Sequence, residues 1–214
     1  MNSNSKISSS PLNPSNKPFA EIIESSLHNF KAQSWEWDIM PSFGSLIMVE
    51  SDRRKIFGLV HDIQTGSMDP VRSPFPYKKT YAELKAEQPQ IFEFLKTSFI
   101  CINLGYQEKG TIYYTLCPEP PKIHSFIHPV DRELYQQFFA SEQFLHLLFG
   151  VAHQIINIDE LLLAIIRNLA QMELLSDVKI NKLIEAFSLL TGNDYRRLKL
   201  FLGRAEKILG RYTS

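Results

Sequence analysis

Thiols are scarce in this chain: only Cys101 and Cys117 occur among its 214 residues. Two cysteines cannot build a disulfide framework, and a thiolate zinc site would need histidine help, so the composition fits a reducing compartment. An excess of either charge is missing as well. Lys plus Arg number 23 and Asp plus Glu 23, so no bulk field recruits nucleic acid or an anionic membrane, and such a partner would need a local patch. Long apolar runs are absent too. The most apolar stretch, Ile155 to Leu175, is broken by Asp159, Glu160, Arg167 and Glu173, whereas a spanning helix needs about 20 predominantly apolar residues. Neither G-x-x-x-x-G-K-[ST] nor G-x-G-x-x-G occurs, and G-x-S-x-G is also missing. If the protein works with nucleotides, another subunit binds them; hydrolase chemistry has no support, and the sequence reads as a soluble, cytoplasmic, non-enzymatic chain.

What is present divides into three parts. Residues 1–18 hold six Ser, four Asn and three Pro and read as a disordered tail. Residues 19–130 carry 11 basic and 13 acidic groups, and residues 131–214 carry ten of each, so these two parts are electrically alike but differ in pattern. In the first of them, short β-rich runs alternate with turn residues: Phe43 to Val49, Lys55 to Ile63, Ser98 to Gly105, Thr111 to Leu116 and Ile123 to Ile127. With a further run at Trp35 to Ile39, they predict an antiparallel barrel of about six strands. The long link from Gln64 to Thr97 is not structureless. Thr80 with Glu83 three residues on is a capping box that starts a helix near Tyr81. Pro89 then splits the segment, leaving a second short turn over Gln90 to Lys96. The reading is a helical insert at residues 80–96 that plugs one end of the barrel.

After Pro129 the apolar period changes from two to 3.6. Asp131 is the cap of a helix to about Phe149, Asn157 or Asp159 of a second through Leu174, Ser176 or Asp177 of a third ending at Gly192, and Asn193 or Asp194 of a last one to about Leu209. The second is apolar on nearly every face and must be surrounded, either at the centre of a bundle or in an interface. The fold class is therefore α+β: a small barrel with a helical insert, followed by a C-terminal bundle of about four helices.

Candidate sites are few. His124 with His128, and His146 with His153, have ligand-like spacing but lack nearby acidic or thiolate partners, so no metal and no cofactor is expected. Cys101 reads as a small buried hydrophobe. An enzymatic reading would have to bring His61, Asp62 and Asp69 together, and nothing in their spacing does so. The strongest charge feature is the segment from Tyr195, in which Arg196, Arg197, Lys199, Arg204, Lys207 and Arg211 stand against Glu206 alone. Most of these cations fall off the apolar stripe of Leu198, Phe201, Leu202, Ala205, Ile208 and Leu209. They form a solvated face suited to a helix C-terminus or an anionic docking surface. As partner contacts we single out Phe75, Tyr77 and Tyr81 in the insert and Arg197, Arg204 and Arg211 in the last helix, aromatics and arginines being the usual anchors of an interface.

Three segments carry a family resemblance over about residues 35–130. Phe43-Gly44-Ser45-Leu46-Ile47-Met48-Val49 followed by Ile56-Phe57-Gly58-Leu59-Val60 resembles the opening hairpin of the HAS-barrel, shared by HerA-type DNA translocases and ATP synthases. Thr65-Gly66-Ser67, Glu87-Gln88-Pro89-Gln90 and Leu95-Lys96-Thr97 resemble the insert of a standalone HAS-barrel family of cyanobacteria and plastids. Pro120-Pro121-Lys122-Ile123-His124-Ser125-Phe126 is similar to its closing strand. In the translocases and the ATP synthase head such barrels help hold a hexameric ring together and perform no chemistry. The resemblance implies a non-catalytic module docking onto a larger protein complex, an ATPase assembly among the candidates, with a plastid or thylakoid-peripheral location left open. The competing reading is a nucleic-acid-processing accessory of a HerA-like translocase, and the slightly acidic barrel segment argues against direct nucleic-acid contact.

Overall fold

The computed structural model describes residues 17–210 apart from Asp52, Pro70, Arg72, Ser73, Ile156 and Asn193. The tail through residue 16, the Asn193 cap and Arg211 thus lie outside the described residues. Seven strands form among them: β1 (Ala20–Ser25), β2 (Asn29–Ser34), β3 (Leu46–Ser51), β4 (Arg54–Ser67), β5 (Leu95–Glu108), β6 (Thr111–Tyr113) and β7 (Phe126–Pro129). All pairings are antiparallel, in the order β2-β1-β7-β3-β4-β5-β6, and β2 also pairs with β5, Phe30 lying opposite Cys101. The ring β2-β1-β7-β3-β4-β5 therefore closes as a six-stranded barrel, which removes every free edge from the ring.

The strand count of six holds, but the membership differs from the sequence reading. Trp35 to Ile39 is not a strand; it is turn and irregular chain. β6 pairs only with β5, outside the ring. Their places are taken by β1 and β2, whose inward positions hold small residues, Ala20, Ala32 and Ser34, beside Ile22 and Phe30. A narrow barrel needs small side chains on its inner wall, and these weaken the apolar signal of the strands that carry them.

Strands β3, β4 and β5 are buried on both faces. Inward, Ile47, Val49, Ile56, Val60, Phe99 and Cys101 fill the barrel with Ile22, Phe30 and Ile127. Outward, Leu46, Met48, Phe57, Leu59, Ile102 and Leu104 join a second core made with the helices. Two glycines set close approaches. A Cβ at Gly58 would lie 2.5 Å from the end of the Phe30 ring, so glycine makes the room that ring occupies. Gly44 has φ +74, and a Cβ there would stand 2.6 Å from the Cβ of Ala164.

The link between β4 and β5 is the expected insert, opened by the Thr80–Glu83 capping box at α1 (Tyr81–Glu87), with a 3-10 helix at Pro89–Phe94. It does not plug the barrel: none of its helical residues is buried, and none joins the barrel's inner core. Its ring contacts run instead to Trp37.

Among the described residues the C-terminal half has five α-helices where about four are expected, the first expected helix being split in two: α2 (Arg132–Phe138), α3 (Phe144–Gly150), α4 (Ile158–Gln171), α5 (Asp177–Leu190) and α6 (Tyr195–Leu209). The single helix expected from Asp131 to Phe149 breaks at Phe139 to Gln143. There Phe138, Phe139 and Phe144 pack into one aromatic cluster with centroids 5.0–6.3 Å apart, and Phe138 meets Phe57 of the barrel wall at 4.9 Å. The caps at Asp131, Asn157, Ser176 and Asp194 each accept from a backbone N–H of the first turn. Helix α4 is surrounded, as a helix apolar on nearly every face requires. It packs against α6 and against the chain entering β3, where Asn168 Nδ2 donates to the Phe43 carbonyl at 3.2 Å. No helix among the described residues is long and apolar enough to cross a membrane.

Candidate interaction surface

The helices cover the outer wall of β3, β4 and β5 and leave that of β1, β2 and β7 at the surface. Glu21, Lys31 and Gln33 point out there half-buried, and Ile23 and Phe126 are exposed. Trp35 directly follows β2 and meets Phe126 edge-on at 5.3 Å, although the two remain 51% and 49% exposed. Two residues on, the half-buried Trp37 stacks on Phe92 of the insert at 5.5 Å, and Tyr81 meets Phe92 edge-on at 5.2 Å. The Trp37 carbonyl accepts from the Thr97 hydroxyl, which also meets the Thr65 hydroxyl at 2.7 Å, so the root of the insert is tied to this loop. The result is an aromatic band in two parts, Phe126 with Trp35 beside the uncovered barrel wall and Trp37 with Phe92 and Tyr81 at the insert, the two tryptophans lying two residues apart in the chain. Trp35, Phe126 and Tyr81 are the exposed members, and exposed aromatics are a feature of contact surfaces.

Of the aromatics singled out from sequence, Tyr81 lies in this band and is 54% exposed. Phe75 and Tyr77 form a separate edge-on pair at 5.7 Å, with Phe75 71% exposed. Sequence reasoning missed Trp35, Trp37, Phe92 and Phe126 as a group. The signal available was two tryptophans within three residues, read as a strand because aromatics favour strands.

Two arginines of α6, Arg197 and Arg204, have internal partners. Arg197 grips the Asp159 carboxylate with Nε at 3.1 Å and Nη2 at 2.6 Å and lies 5.7 Å over the Phe187 ring. Hydrogen bonding to Asp159 holds its pKa above the ordinary value. Arg204 pairs with Glu160, so the two arginines clamp α6 onto the first turn of α4, where both carboxylates also suit the helix dipole. Arg196, Lys199 and Lys207 remain exposed.

His61 sits at an irregularity of β4, its pKa lowered by burial against a smaller opposing influence of Asp62. Asp62 accepts from Gln64, and Asp69 accepts from the backbone of Val71. Among the described residues no group of three or more His, Cys, Asp or Glu is placed to hold a metal ion. Cys101 and Cys117 are both buried and unbridged, and burial pushes the Cys101 thiol well up. Comparison with models of known protein families gives no match, and comparison with curated proteins gives none either.

Proposed function

We propose that this chain is a non-catalytic protein-interaction module, a HAS-type barrel carrying its own helical cover, that serves as an assembly or regulatory accessory of a larger complex, an ATPase assembly being the candidate its sequence resemblance favours. The observation that carries the reading is the pair Trp35 and Phe126, half exposed on the one barrel wall that the helices leave bare. A closed ring offers no edge for strand addition, so a partner would meet side chains on that wall and on the insert. Tyr81 extends the contact zone, and Phe75 and Tyr77 supply further exposed rings on the link leading into the insert. Arg197 and Arg204 serve it indirectly, by fixing α6. The near-neutral charge of the barrel part fits a protein partner better than a nucleic acid.

The test is affinity capture of the full-length tagged protein from its own cells, with and without nuclease, comparing wild type with a Trp35→Ala, Phe126→Ala double variant. A defined set of partner subunits that survives nuclease and falls at least tenfold in the variant supports the reading. The variant's melting temperature should stay within about 4 °C of wild type, since surface truncations cost little. A set that vanishes with nuclease moves the assignment to nucleic-acid processing. Equal capture by wild type and variant removes the aromatic wall from the interface.

A further inference from the structure

The apolar stripe of α5 falls at Ile180, Leu183, Ile184 and Phe187, yet only Phe187 is buried. The other three are half-buried because they face a cavity of about 250 Å³ where α3, α4, α5 and α6 converge. Ile166 of α4 and Leu202 and Leu209 of α6 line the same space and are half-buried for the same reason. The rings of Phe187 and Phe201, stacked at 4.5 Å, complete its wall. Among the described residues, Glu206 is the one charged and the one exposed member of the lining, so it marks the mouth.

Water is a poor occupant of such a space, because an ordered water needs two to four polar partners. Cavities of about 150 Å³ lined by Leu, Ile and Phe stay dry and accept benzene, so about 250 Å³ scales to roughly ten carbons. A docked helix or a second copy of the chain would need an apolar rim, and here the rim residue is a carboxylate while the aliphatics point inward.

We propose that this cavity binds a single aliphatic chain of about ten carbons bearing an uncharged or cationic head group, with the head beside Glu206. The chain would lie across the half-buried faces of Ile166, Ile180, Ile184 and Leu202 and complete the contact between α5 and the rest of the bundle. The site is separate from the aromatic wall, so it stands or falls independently of the interaction reading.

The experiment uses the full-length protein with ¹³C-labelled isoleucine methyls, titrated with n-decanol, decyltrimethylammonium and decanoate. Decanol should shift the methyls of Ile165, Ile166, Ile180 and Ile184 saturably, while those of Ile47, Ile56 and Ile127 inside the barrel stay put. At about a hundredfold excess over Kd the melting temperature should rise by about 5 to 10 °C. Decanoate should bind about fivefold more weakly than decanol, and Glu206→Gln should close that gap, since two carboxylates about 4 Å apart at a water-filled mouth, screened as in bulk water, repel by about that factor. Ile184→Phe should fill the cavity, weaken decanol binding at least tenfold and leave the unliganded protein as stable as wild type or more so. Shifts confined to barrel methyls, no shift up to the solubility limit of decanol, or wild-type affinity in Ile184→Phe would each overturn the proposal. So would a concentration-dependent dimer, seen by sedimentation, that excludes decanol, because a second copy would then be the occupant.

Discussion

At the scale of single residues, the barrel's tightest demand falls on Gly58. Its neighbours inside the barrel are the Phe30 ring end at 2.5 Å and, on the adjacent strand β5, the Cys101 Cβ at 3.0 Å from where a Cβ would stand. A buried phenylalanine wedged among strands cannot step aside cheaply, so Gly58→Ala should destabilise the protein by about 1–3 kcal/mol, the usual cost of overpacking. Gly66→Ala is the matched control: nothing lies within 4 Å of its Cβ position, and its effect should stay within about 0.5 kcal/mol. Shortening the ring should relieve the clash, so in urea titrations Phe30→Leu with Gly58→Ala should cost at least about 0.5 kcal/mol less than the sum of the singles. Additive costs would mean that Phe30 is not the obstacle. His61 gives a residue-level pH dependence. Burial lowers its pKa below the ordinary 6.5, so the unfolded chain takes up the proton first as pH falls. The contribution is complete above about pH 6.5 and declines from there down to the lower folded value. His61→Gln should flatten the stability profile in that window, and an unchanged profile would remove His61 as its source.

At the scale of elements, the insert helix α1 depends on its cap more than on packing, because none of its seven residues is buried. The Glu83 carboxylate accepts from the Thr80 backbone N–H at 2.7 Å and from the Thr80 hydroxyl at 2.8 Å, which holds its pKa below the ordinary 4.5. The sign follows from the depressed value: the cap is at full strength above pH 4.5 and is lost as pH falls through the lower folded value. Hydrogen exchange over residues 81–87 should therefore accelerate on acidification in wild type, after correction for intrinsic rates, and lose that dependence in Glu83→Gln. Thr80→Ala should cost the helix about 1 kcal/mol, a several-fold loss of protection there, and leave the barrel strands untouched.

This box was legible because both partners lie within one turn, and the same locality made the caps of α2, α4, α5 and α6 readable. Strands β3 to β5 were legible for another reason: burial on both faces leaves an uninterrupted apolar run. What escaped was set by partners distant in sequence. β1 and β2 carry alanine and serine inward because Phe30 and its neighbours already fill the lumen. Trp35 and Trp37 looked like strand residues, although the rings that hold them, Phe126 and Phe92, are tens of residues away. Arg197 and Arg204 were recognisable as candidate contacts, but not their pairing with Asp159 and Glu160, 38 and 44 residues back. A double-mutant cycle on Arg197 and Asp159 measures that clamp. The side chains are 37% and 26% exposed, so screening limits the coupling to about 0.5–1 kcal/mol, falling with added salt. A coupling near zero at low salt would leave α6 held by its apolar stripe and the Arg204–Glu160 pair.

At the scale of the whole molecule, barrel and helices are bound by a shared core rather than by a linker. Leu46, Met48, Phe57, Leu59, Ile102 and Leu104 point out of the barrel and are covered by side chains from the helices. Uncovering six large apolar side chains forfeits about 1.5–3 kcal/mol each, on the order of 10 kcal/mol in sum. That equals the whole net stability of a typical domain, about 5–15 kcal/mol. Residues 17–130 expressed alone should therefore associate and bind hydrophobic dyes, whereas the full chain should do neither. Cooperativity in the intact protein tests the same coupling without truncation. Trp35 and Trp37, the only tryptophans, both report on the barrel side, while far-UV ellipticity is dominated by α2 to α6. The shared core requires the two signals to change together, with urea midpoints agreeing within about 0.2 M, as coincident probes do in a two-state transition. Phe138→Ala, which empties the contact between Phe57 and the α2–α3 cluster, should lower both midpoints in step by a destabilisation of about 3–5 kcal/mol. If fluorescence instead held its wild-type midpoint while ellipticity melted early, the barrel would be stable without its helical cover, and the outer wall of β3 to β5 would be a second surface free to meet a partner.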